Sequence, residues 1–155
     1  MQRHGLDAMQ ALDAARPPES IHAFVELHIE QGPVLDSRQT PIGVVEGICG
    51  LQRWEIILHG TANHAGTTPM NRRWDAMVTA AEFVLAVNEV ATSMPGTQVA
   101  TVGRIHAAPG APNVIPGEVV LSLEIRDLSA EKMQRVFDEI SAAGERIADA
   151  RSTPI

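Results

Sequence analysis

At 155 residues the chain is long enough for one ordinary domain, or for one domain with a piece of another. Apolar residues at 45% and charged residues at 20% suffice for a packed core, which two Trp, three Phe and no Tyr leave to Val, Ile, Leu, Met and Ala. A formal charge of -7 and the scarcity of aromatics argue against nucleic acid, which needs a basic footprint and stacking platforms.

In chain order, residues 1–20 lean helical up to Ala15, where Pro17-Pro18 stops the helix. Phe24 to Ile29 alternates apolar and polar side chains, the period-two pattern of a strand, and Gly32-Pro33 ends it. Ile42 to Ile48 reads as a second short strand. From Gly50 a self-contained pattern begins, with Trp54, Ile56 and Leu58 alternating against Glu55, Ile57 and His59 up to Gly60. After the loop that holds His64, residues Trp74, Met77, Val78, Ala81 and Leu85 recur at helical spacing and predict an amphipathic helix that ends near Met94-Pro95-Gly96.

A strand over Val99 to His106 follows, then a Pro/Gly-rich loop from Ala107 to Gly117. Val119, Leu121, Leu123 and Ile125 line one face of the next strand, with Ser122, Glu124 and Arg126 opposite. Ser129 suits an N-cap and Glu131 the first turn of a last helix, whose stripe is Met133, Val136, Phe137, Ile140 and Ile147. The fold class expected is α+β, a two-layer sandwich with two helices on one face of an antiparallel sheet, in the order βαββα. A βαββαβ unit needs one more strand, and the end at Ile155 reads as a truncation.

Chemistry concentrates in a few side chains. His28, with Glu26 two residues earlier, is a candidate metal ligand; a strand histidine bonded to a backbone carbonyl is the alternative. His64, ahead of Ala65-Gly66, can project its imidazole toward a carbonyl that gains charge, or sit in solvent. Arg126 and Arg53 at strand ends suit bidentate capture of a carboxylate, with surface ion pairing as the alternative. The Asn113 amide suits a carbonyl or ureido group, or it holds its turn. His4, His22, His59 and His106 lack such context. A lone Cys49 with no nearby base makes neither an internal disulfide nor a plausible nucleophile, which points to a reducing cytoplasm. No leader or membrane-length apolar run stands out, so neither a membrane nor a nucleic acid is an expected partner.

Four ordered motifs then carry a resemblance. ELHIEQGP at residues 26–33, GTANHAGTTPM at 60–70, APNVIPG at 111–117 and EIRD at 124–127 are similar to those of the hydantoinase/carbamoylase amidases, which are metal-dependent hydrolases of the aminoacylase/carboxypeptidase superfamily. The likeness runs from about Ser20 to Arg126. It implies a catalytic domain with two divalent metals, commonly zinc with manganese as the alternative, and an inserted lid domain that mediates homodimerisation. By that resemblance His28 is a metal ligand and His64 contacts the scissile group, in its own or the neighbouring subunit. Arg126, Asn113 and Arg53 hold the substrate, and Gln31 lies near the metals.

The family's other metal ligands and its general-base glutamate have no counterpart here. The resemblance therefore implies a remnant of the catalytic domain over 1–49, a lid domain over 50–155, and a fragment that neither binds metal nor turns over by itself. The parent enzyme would cleave a linear ureido or amide C–N bond of a small carboxylated substrate, such as allantoate or an N-carbamoyl-L-amino acid. A dimerisation module without catalysis, and a metallopeptidase or aminoacylase of the same superfamily, are the rival readings.

Overall fold

A computed structural model of the chain describes Gly5, Asp7 and residues 9–155, which divide into two units, residues 1–44 and 45–155. In the first, 3-10 turns cover Met9–Ala14 and Pro18–Ser20, and a single helical turn, α1, covers Val34–Ser37. The Glu30 carboxylate caps α1 by accepting from the backbone N–H groups of Val34 (2.9 Å) and Leu35 (3.0 Å). The second unit contains β1 (Gly50–His59), β2 (Asn63–His64), α2 (Ala76–Ser93), β3 (Val99–Ala108), β4 (Val114–Ile115), β5 (Glu118–Asp127) and α3 (Ala130–Arg151).

Two expected strands are absent. Residues 24–29 and 42–48 have no regular structure, and Leu27 is 95% exposed. Alternation makes a strand only where a neighbouring strand completes the ladder and a core takes one face. Before Gly50 no described residue is buried. The helical tendency of residues 1–15 survives as the 3-10 turn at Met9–Ala14, and most of residues 1–8 lies outside the described residues.

The second unit follows the expected order, with an antiparallel sheet β1-β5-β3 and both helices on one face. β5 is central, and its inner row Val119, Leu121, Leu123 and Ile125 is fully buried. Trp54 of β1 stacks on Phe137 of α3 with ring centroids 4.2 Å apart, fastening the helix layer to the sheet. Ser129 caps α3 through Lys132 N–H, as read from the sequence, whereas α2 starts one residue after Asp75, which caps it through Met77 N–H and was not singled out. Past α3, Thr153 bonds Thr79 in the core at 2.6 Å and the Pro154 carbonyl accepts from His59 N–H of β1 at 2.8 Å.

The face of α2 differs from the expectation. Ala76, Thr79, Ala80, Phe83 and Val87 are its buried residues, whereas Val78 and Leu85 are 41% and 70% exposed and Trp74 precedes the helix. The helix is apolar nearly all round, so spacing alone allows more than one stripe. The choice falls to Phe83, whose ring packs where Gly144 of α3 has no side chain: a Cβ there would lie 2.9 Å from Phe83 Cε2. The same all-round character gives α2 the length and hydropathy of a membrane span, although it is a helix laid on a sheet. Phe83→Ala should therefore cost about 3–5 kcal/mol, and Leu85→Ala less than about 0.5 kcal/mol, read as urea midpoints on monomeric protein. Equal losses would put the wrong face of α2 inward.

Candidate functional site

The loop between β1 and α2 crosses beneath the start of β5 at very short range. A Cβ on Gly60 would lie 2.3 Å from the Trp74 carbonyl oxygen and 2.8 Å from Ala76 N, so only glycine fits that position. Gly60 N–H donates to the Gly117 carbonyl, Thr61 N–H to Trp74 and Ala76 N–H to Pro116. Pinned by these bonds, the loop forms β2, which pairs antiparallel with β4 so that His64 faces Val114 and Asn63 faces Ile115. This small ladder, which strand periodicity did not reveal, brings two expected site residues together. Ala65 N–H donates to the Asn113 carbonyl at 2.9 Å.

The orientation of His64 is set by its own turn. Gly66 N–H donates to Nδ1 at 3.1 Å, and Thr67 Oγ1 lies 3.3 Å from the same nitrogen. An Nδ1 that accepts an amide proton leaves the ring proton on Nε2, so Nε2–H is the donor the loop presents. A side chain at Gly66 would sit 3.1 Å from His64 Cε1, which makes the glycine the floor of the ring. The His64 backbone is held as well: its N–H donates to Asn63 Oδ1 at 2.8 Å, and its carbonyl accepts from Thr68 Oγ1 at 2.7 Å.

A second cluster lies on the open face of the sheet. Arg53 and Arg126 each donate from Nε to one oxygen of Glu124, both at 2.6 Å. Among the described residues, neither guanidinium spends its terminal amino groups on another side chain. The three groups sum to one positive charge and present two forks side by side, a geometry suited to a carboxylate. Both arginine side chains are more than half exposed, so the pairs add little to stability. Glu124 was missed as a site residue, although its place on the same face two residues before Arg126 was the available signal.

The clusters stand at opposite ends of β5. Eight residues separate Glu118, beside the β2–β4 ladder, from Arg126, a reach of about 26 Å in an extended strand. His28 and Gln31 belong to the other unit. His28 lies off any strand, and its Nδ1 donates to the neighbouring Ile29 carbonyl at 2.6 Å, which leaves the Nε2 lone pair open. Gln31 takes a left-handed backbone with φ of 56°. No group of three metal-ligating side chains occurs among the described residues, so those present do not fit a metal centre by themselves.

Residues 47–150 match the model of the peptidase dimerisation domain. The chain belongs to that family. Among its relatives, an N-carbamoyl-L-amino acid amidohydrolase of Geobacillus stearothermophilus is 44% identical over 98% of this chain and 37% of its own length. A probable allantoate deiminase of Oryza sativa subsp. japonica is 40% identical over 80% of this chain and 29% of its own. A hydantoinase/carbamoylase family amidase of Burkholderia multivorans superposes with a TM-score of 0.77 at 35% identity, covering 81% of this chain and 31% of that one. The chain thus spans only 29% to 37% of the length of such relatives.

Three carboxyls of this dimerisation domain are held below their ordinary range, Glu82 chiefly by its hydrogen bond from Arg151. For Glu124 the hydrogen bond from Arg53 is the main cause and that from Arg126 the next. For Asp127 it is the Ser129 N–H, then burial acting against it, then Lys132, whose Nζ lies 3.3 Å from Oδ2. A depressed carboxylate contributes stability that is complete above its unfolded value and disappears as pH falls through its folded one. The urea midpoint should accordingly fall on the acid side, between about pH 5 and pH 2. The gap between wild type and Glu124→Gln should close over that window, and a gap that persists at the acid end would contradict the assignment.

Proposed function

We propose that residues 50–155 are the lid of an amidohydrolase, and residues 1–49 a strip of its metal-binding domain. The parent enzyme in this reading is a cytoplasmic hydrolase that cleaves a linear C–N bond in the ureido or amide group of a small carboxylated substrate, such as allantoate or an N-carbamoyl-L-amino acid. One observation carries the reading: the Gly66 N–H on His64 Nδ1, which leaves an Nε2–H donor beside Asn113 at the tip of a pinned loop. When water adds to the substrate carbonyl, its oxygen gains negative charge. A preorganised N–H donor stabilises that charge at no reorganisation cost. Asn113 binds the adjoining amide or carbonyl, and the Arg53–Arg126 pair takes the carboxylate, fixing the scissile bond against the donor.

In this reading two divalent ions, zinc or manganese, would supply the activation of water and would be held mainly by the rest of the enzyme. His28 Nε2 would be a ligand from this chain, with Gln31 nearby. The 155 residues alone neither assemble the metals nor turn over.

The spacing of the clusters supports a homodimer whose sites are shared. Groups separated by about 26 Å along a strand cannot hold one small substrate, so His64 and Asn113 of one subunit serve the site that Arg126 of the other completes. The outer edge of β3, unpaired among the described residues, with exposed Ile105 near exposed Leu85 of α2, offers a self-complementary contact for such pairing.

In the full-length enzyme, His64→Ala should lower kcat by about 10²–10³, while Arg126→Ala should chiefly raise KM. A heterodimer of the two variants should recover close to half the wild-type activity, since one of its two shared sites is intact. Recovery absent from the mixed dimer would place both groups in one subunit's site. Leu85→Arg should give monomers by light scattering. Hydrolysis of N-carbamoyl amino acids by the 155-residue chain alone would overturn the lid assignment.

A further inference from the structure

Arg73 turns back onto its own loop. Its half-buried guanidinium is spent on the backbone of the His64 loop: Nη2 donates to the Ala65 carbonyl at 2.6 Å and to the Thr68 carbonyl at 2.9 Å, and Nε to Thr68 at 3.0 Å. The Ala65 carbonyl and the Gly66 N–H are the two ends of one peptide unit, and that N–H is the donor to His64 Nδ1. A continuous chain of hydrogen bonds therefore runs from the guanidinium through the Ala65–Gly66 peptide to the imidazole.

We infer that Arg73 is a positioning residue that acts on His64 through this peptide, holding the ring in place and in its Nε2–H form. Each partner in such a chain polarises the next, and a cation on the carbonyl makes the opposite N–H a stronger donor. Nδ1 is thereby kept as an acceptor, and the ring proton is confined to the nitrogen that faces outward. The two bonds to Thr68 close the other end of the turn, whose N–H and Oγ1 both bond the His64 carbonyl, so the ring cannot swing with its loop. A lysine cannot replace this: its ammonium lacks the planar fork that spans two carbonyls. The adjacent Arg72 is exposed, and among the described residues its side chain makes no hydrogen bond, while its backbone N–H donates to Pro69.

The tautomeric consequence stands on the loop geometry, and the kinetic one rests on the catalytic role proposed for His64. Long-range ¹H–¹⁵N correlation on the 155-residue chain at neutral pH should show a protonated Nε2 and an unprotonated Nδ1 for His64. Arg73→Ala should shift those ¹⁵N signals toward the averaged values of a free imidazole, with Arg73→Lys intermediate and Arg72→Ala unchanged. In the full-length enzyme Arg73→Ala should lower kcat by about 10- to 100-fold, the usual cost of losing a group that orients a ligand or catalyst. KM should stay within about twofold, and added guanidinium should restore part of kcat. A His64 tautomer untouched in Arg73→Ala and Arg73→Lys overturns the inference, as does a loss of thermal stability with kcat intact. A wild-type enzyme that hydrolyses no ureido acid would defeat the functional reading only, because the tautomer measurement still decides the role of Arg73.

Discussion

The burial of one row of side chains on β5 is the constraint from which the rest of the domain follows. Val119, Leu121, Leu123 and Ile125 lie under two helices, on the one strand hydrogen-bonded along both edges. Four such side chains out of water supply stabilisation that no surface ion pair here matches. Register along β5 then dictates the opposite face, since a slip of one residue would turn the row outward. Glu124 thus stands directly between Arg53 and Thr101, and Arg126 between Leu51 and Val99. The arginine pair is a consequence of core packing on the far side of the same strand.

The loop with His64 is governed differently. It has no buried apolar row; contacts with backbone atoms hold it, at Gly60 against Trp74 and Ala76, at Gly66 beneath the imidazole, and at the carbonyls taken by Arg73. Such contacts tolerate little substitution, which in the proposed function suits a loop that presents its imidazole to a substrate held by the other subunit. With one end of β5 presenting an N–H donor and the other a pair of guanidinium forks, a single domain offers the two halves of a recognition site without closing either. In the proposed function, pairing of copies turns that separation into a shared site.

How much could be read in advance depended on what each element needs. The strands and helices after Gly50 carry their own burial pattern, and the Ser129 cap acts within a few residues, so their order and most boundaries were legible. Phe24 to Ile29 carries a pattern of the same kind and forms no strand, because a ladder requires a partner. For the site, local motifs pointed to His64, Asn113, Arg53 and Arg126. They could not reveal Glu124 as the carboxylate that joins the two arginines, nor Arg73 as the clamp on the histidine loop, since those roles exist only after distant backbones meet.

What the sequence by itself determined is therefore the inventory: the βαββα order, the inner row of β5, the Ser129 cap, and the imidazole, amide and guanidinium groups available for chemistry. These follow from periodicity and from bonds closed within a few residues. The tertiary structure alone decided which face of α2 turns inward, where Phe83 meets Gly144, and which ring nitrogen of His64 keeps its proton. It also set the two functional clusters at opposite ends of one strand. Each of these depends on contacts between segments far apart in the chain, and such contacts come into being only when the backbones have packed.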